Sequence, residues 1–221
     1  MKKLALILTI LIHFCFLFSI RNWQAYTNTS AIYSMMADDN ELLLGTWGGV
    51  STFSTDTHNY GESLNLIGGL SDSDIKAVLK TNQTYYYVTK NRGVDIFING
   101  RKSIPCNSST GLISNYARNI VKYQKAQADG STTNMLFIGT ESGLSVFEIN
   151  DDFPYPLFIQ NFTTENGLLS NKVNALSLND AGWLFIGGNN GLSVVHADSI
   201  QIFSSWHYFK TNNSNLLSNE I

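Results

Sequence analysis

The sequence predicts an all-β fold: an incomplete β-propeller of about four four-stranded antiparallel blades, with the start of a fifth. Three observations predict it. A hairpin-like stretch recurs about every 48 residues, a second motif recurs between the copies, and no 3.6-residue apolar period appears beyond the N-terminus. Composition agrees. Charged residues are only 14% of the chain, whereas aromatics make up 12% and Gly, Asn, Ser and Thr are abundant, which suits short strands joined by tight turns.

The first recurring stretch is LLLGTWGGVSTF (Leu42 to Phe53). It returns as YYYVTKNRGVDIF (Tyr85 to Phe97), MLFIGTESGLSVF (Met135 to Phe147) and WLFIGGNNGLSVV (Trp183 to Val195). Gly49, Gly93, Gly143 and Gly191 mark the same point of each copy, at spacings of 44, 50 and 48 residues. A hairpin turn that needs positive φ explains these glycines as structural. The second motif is GLSDSDI (Gly69 to Ile75), then GLISNYA (Gly111 to Ala117), GLLSNKV (Gly167 to Val173) and NLLSNEI (Asn215 to Ile221). Copies are expected near residues 23–65, 66–108, 109–163 and 164–214, with another opening at 215–221. The third copy carries eight extra residues, assigned to a surface loop in the polar stretch Lys125 to Asn134.

Within a copy, four strands are expected. The first is short, as in Ile75–Leu79, Ile120–Tyr123 and Val173–Leu178. The second is apolar almost throughout and should be buried on both faces. The third alternates, with Leu144 and Val146 set against Ser145. The fourth is looser and aromatic, as in Phe158–Phe162 and Phe203–Phe209. One such sheet cannot hide both faces, so stacking sheet on sheet is a requirement of burial.

The N-terminus carries a separate signal. Lys2 and Lys3 precede a 17-residue apolar run from Leu4 to Ile20, which reads as a secretory signal peptide over 1–20, with an uncleaved anchor as the alternative. The rest of the chain is then expected in the periplasm or outside the cell. Cys106 is alone once Cys15 is set aside in the leader, so no intrachain disulfide is expected. The net charge of −3 and scattered basic residues argue against nucleic-acid binding.

No catalytic residue, cofactor or metal site is expected. His58, His196 and His207 fall at unrelated points of the repeat, and the pairs Asp38-Asp39, Asp72/Asp74 and Asp151-Asp152 lie in turns. Nucleophile elbows and phosphate loops are absent from the sequence. The candidate ligand-facing residues are the variable hairpin tips: Trp47, Asn91, Arg92, Glu141, Asn189 and Asn190. Their chemistry varies while the frame stays fixed, as on a recognition surface or on freely drifting turns.

The signatures GLLSNKVNALSLNDAGWLFIGGNNGLSVV and GLISNYARNIVKY…MLFIGTESGLSVFE resemble the two-component regulator propeller repeat, over nearly all of residues 23 to 221. The second copy departs from that pattern, because Val88 stands where the others have Gly. The resemblance implies the extracytoplasmic sensing portion of a hybrid histidine kinase, binding an extracellular ligand such as a glycan fragment. Further C-terminal blades and a transmembrane kinase would be its partners. A secreted or surface-attached interaction protein without a kinase is the alternative, and a lyase on a propeller scaffold is the third reading. An open ring would also leave one blade face unpaired and prone to aggregation.

Overall fold

The computed structural model describes residues 31–127, 130–149 and 156–221. The predicted leader and the carboxylates Asp151 and Asp152 lie outside the described residues. Four antiparallel sheets follow one another along the chain, arranged as the blades of a β-propeller. The first holds β1 (Ile32–Asp38), β2 (Glu41–Thr46) and β3 (Gly49–Ser54). The second holds β4 (Ile75–Thr81), β5 (Thr84–Thr89), β6 (Gly93–Ile98) and β7 (Arg101–Lys102). The third holds β8 (Ala117–Ala126), β9 (Thr132–Thr140), β10 (Leu144–Ile149) and β11 (Leu157–Phe162). The fourth holds β12 (Val173–Leu178), β13 (Trp183–Gly188), β14 (Gly191–His196) and β15 (His207–Phe209). Each sheet is a meander, so neighbours in sequence are neighbours in the sheet.

The outer strand is weaker than the repeat implies. In the first blade it is reduced to the isolated bridges Val50↔Leu64 and Phe53↔Tyr60, so that sheet has three strands rather than four. In the fourth blade only His207–Phe209 pairs, because Phe203–Ser205 curls into a 3₁₀ turn. An outer strand faces water along one edge, so little forces its full length to pair.

The inner strands pack in chain order, β1 on β4, β4 on β8 and β8 on β12. Three buried clusters fill the gaps between successive blades, centred on residues such as Ile75 and Tyr87, Val94 and Leu136, and Phe137 and Leu184. The second strands are buried toward their ends, as their apolar runs predict. The third strands differ from expectation. Their alternation suggests one wetter face, yet Ser51, Asp95, Ser145 and Ser193 are all buried. Three of these polar residues have a shared task. Ser145 Oγ accepts the Ile113 N–H (3.0 Å) and Ser193 Oγ accepts the Leu169 N–H (3.1 Å). Asp95 accepts the Ser71 N–H (2.6 Å). Each fastens the Gly-Leu motif over its own blade, and a buried backbone donor left unmet would be costly. The carboxylate of Asp95 is fully buried and is paired with Lys102 (2.9 Å).

The insertion in the third blade is paired at both ends rather than looped throughout. It lengthens the β8–β9 hairpin, with Gln124↔Asn134, Lys125↔Thr133 and Ala126↔Thr132 in register. β-branched threonines favour the strand, and Gln127 Nε2 donates to Thr133 Oγ1 (2.8 Å) across it. Strand β8 also begins three residues earlier than expected, at Ala117.

Candidate functional site

The hairpin tips between second and third strands are built by a shared device. Thr46, Thr89 and Thr140 are buried, and each hydroxyl donates to a carbonyl across the turn, at Gly49, Gly93 and Gly143 (2.8–2.9 Å). The same oxygens accept the N–H of Gly48, Arg92 and Ser142. The residue after each threonine is therefore held in a fixed place: Trp47, Lys90 and Glu141, with Asn189 the counterpart in the fourth blade.

The inner strands share a second device. Each carries a β-bulge at its start, between Ile32 and Ser34, Ile75 and Ala77, Ala117 and Asn119, and Val173 and Ala175. The extra residue in each bulge is Tyr33, Lys76, Arg118 or Asn174. A bulge re-aims the inserted side chain without disturbing the register beyond it. All four inserted residues line one cavity of about 420 Å³ at the tip end of the inner strands. Ala117, Asn119 and Tyr116 complete its wall, together with the tip residues Lys90 and Glu141.

Bulge and tip are linked in the second, third and fourth blades. Arg118 Nε donates to Glu141 Oε1 (2.6 Å), and Arg118 Nη2 bonds the same oxygen. Asn174 Nδ2 donates to Asn189 Oδ1 (2.9 Å). Lys76 and Lys90 share the buried carboxylate of Asp74 at 2.6 and 3.5 Å. The Lys76 ammonium also lies 3.8 Å from the centroid of the Tyr33 ring, a cation–π contact between blades one and two. Asn119 Nδ2 donates to the Asn174 carbonyl (2.8 Å), which ties the bulge of the fourth blade to the third.

The predicted tip residues separate on this geometry. Glu141 lines the cavity, and Asn189 holds a residue that does. Asn91 donates to Asp72 Oδ2 (3.1 Å) and Asn190 to the Leu169 carbonyl (3.2 Å), so both fasten turns. Arg92 is exposed, with its N–H on Thr89 Oγ1. Trp47 is 55% exposed and is not among the cavity residues. The bulge residues, by contrast, carry no motif of their own in the sequence. Tyr, Lys, Arg and Asn differ as residue types, and their common mark is the Ile, Ala or Val just before each, which in three copies closes the second motif.

The marker glycines are structural. A Cβ on Gly49, Gly93, Gly143 or Gly191 would stand 2.2–2.4 Å from the carbonyl oxygen of Leu64, Cys106, Phe162 or Phe209. Cys106 is buried, and that burial pushes its thiol up to about 12, well away from a reactive thiolate. Among the described residues no group of three or more His, Cys, Asp or Glu is placed to hold a metal ion, and no helix is long and apolar enough to cross a membrane.

No family model and no curated protein matches the chain. Solved structures do. The extracellular domain of BT4673 from B. thetaiotaomicron superposes with a TM-score of 0.60 at 22% identity over 90% of this chain. A second structure of that domain gives 0.58 at 17% identity over 86%. The first is described as a one-component system and the second as a hybrid two-component system. The computationally designed Ika4 protein gives 0.54 at 14% identity, with 78% of this chain covering 95% of that one. The fold is a β-propeller. The chain spans about a quarter of the length of the BT4673 domain.

Proposed function

We propose that this chain is a ligand-binding propeller module that works outside the cytoplasm, as part of the input portion of a two-component signalling protein. The observation that carries the reading is the cavity at the inner-strand bulges. Four blades deliver one re-aimed side chain each, on a rigid frame, and no two of the four are alike. A fixed scaffold with varied convergent groups suits recognition. The role in signalling is supported by the structural likeness to an extracellular domain of that class. The location is supported by that likeness and by the basic-then-apolar run at Lys2 to Ile20.

Two measurements test this. A phosphatase reporter active only outside the cytoplasm, fused after residue 221, should be active in cells, and a silent, stable fusion would refute export. A panel of oligosaccharides should contain at least one that raises the melting temperature of the full chain. Saturation at ~100 times Kd corresponds to about 2.7 kcal/mol of added stability. The shift should vanish in Tyr116→Ala, whose side chain is exposed at the cavity wall. A ligand whose effect survives that change and binds elsewhere would overturn the site.

A further inference from the structure

The charges around the cavity are out of balance, and they run against the charge of the chain. Lys76, Lys90 and Arg118 line the wall, with Glu141 as its one carboxylate. Asp74 lies beneath the wall, its side chain 8% exposed, and serves both Lys76 and Lys90. Glu141 in turn serves both Arg118 and, at 4.0 Å, Lys172. Each carboxylate is thus shared by two cations, in a chain whose formal net charge is −3. Four cations served by two carboxylates leave a positive surplus where the bulges aim, and a cleft of net positive charge attracts anions.

Aromatic surface accompanies the charge. Tyr33 and Tyr116 stand at the same wall and are each about half exposed. An exposed aromatic ring offers an apolar face with a hydrogen-bonding tip, which suits the face of a sugar ring. Asn119 and Asn174 add amide groups to the wall.

We propose that the cavity recognises an anionic carbohydrate, its carboxylate or sulfate ester held by Lys76, Lys90 and Arg118 and its ring lying against Tyr116. This rests on the binding-module reading and specifies its ligand class. Glu141 then acts as the specificity-determining residue: it repels the ligand anion while it orients Arg118.

The test titrates the full chain with three probes: a galacturonate hexamer, its fully methyl-esterified neutral form, and a sulfated galactose oligomer. At least one anionic probe should bind, the neutral ester should bind far more weakly, and added salt should weaken binding. Lys90→Ala should reduce affinity about three- to fivefold, the range of a partly exposed ion pair. Lys90 suits this purpose because its side chain is 55% exposed and Asp74 keeps Lys76 as a partner. Glu141→Gln should raise affinity for the anionic probes by a similar factor, an effect no loss of folding can imitate. Whichever anionic probe binds assigns carboxylate or sulfate. Equal binding of the neutral ester, or a Glu141→Gln variant that binds anions less well, overturns the charge assignment and leaves a binding module for neutral ligands. Failure of both anionic probes overturns it too, while the oligosaccharide panel tests the binding reading independently.

Discussion

At the residue scale, glycines that look alike in the sequence are held for different reasons. Gly93 has φ +82 and Gly100 has φ +74, so both pay for a side chain in backbone strain. That strain is about 1–2 kcal/mol for an L-residue. Only Gly93 also faces a backbone oxygen, that of Cys106, 2.2 Å from where a Cβ would lie; nothing lies within 4 Å at Gly100. Gly100→Ala should therefore cost about 1–2 kcal/mol in urea denaturation. Gly93→Ala should cost well above that, because the outer segment must be pushed off the blade and the Val94–Cys106 bridge broken. Equal costs would mean that the close approach carries no energy.

At the element scale, the departure of the second copy from the repeat has a packing explanation. Gly45, Gly139 and Gly187 sit near the ends of the second strands, and each receives the large apolar residue that closes the following second motif. Ile75, Val173 and Ile221 approach within 2.6–3.1 Å of where a Cβ would be. In the second blade the glycine is replaced by Val88, and the residue at the matching place of the following motif is Ala117. Both belong to the same buried cluster. Large-on-small has become small-on-large, with the volume kept. Ala117→Val alone should overpack by about 1–3 kcal/mol and Val88→Gly alone should open a gap. The double variant should recover much of the loss in a double-mutant cycle, whereas strict additivity would show that the two side chains do not meet.

The same scale shows what the sequence carried. The hairpins were legible because their marker glycines do the same work in every copy and their threonines in three of the four, so period and identity coincide. The third-strand serines were legible as a pattern but not as buried, since their burial comes from the neighbouring blade and from the Gly-Leu backbone they fasten. The insertion looked like a loop because Gln and Thr are polar, yet they pair as a hairpin extension. The bulges were illegible for a different reason. A bulge is set by register between strands, and its inserted residue is free to be Tyr, Lys, Arg or Asn.

At the scale of the whole molecule, blades stabilise each other through one repeated contact, so a blade side without a neighbour should behave differently from one with it. Met35 occupies in the first blade the position that Val78 and Ile120 hold in the second and third. Val78 packs on Gly45 of the preceding blade and is 9% exposed, whereas Met35 is 68% exposed. Ile32 stands in the same relation to Ile75, at 44% against 0%. This side of β1 is half of an inter-blade contact, presented as apolar surface to water among the described residues. Apolar patches of that kind favour self-association. Met35→Ser should therefore cost less than about 0.5 kcal/mol, as an exposed substitution does. It should also shift sedimentation of the full chain at high concentration toward the monomer. Val78→Ser, the same change one blade later, should cost about 2–4 kcal/mol by removing buried methyl groups and placing a hydroxyl against Gly45. If Met35→Ser proved as destabilising as Val78→Ser, this side of β1 would be covered in solution, and the propeller would be held together there by a contact equivalent to the other three.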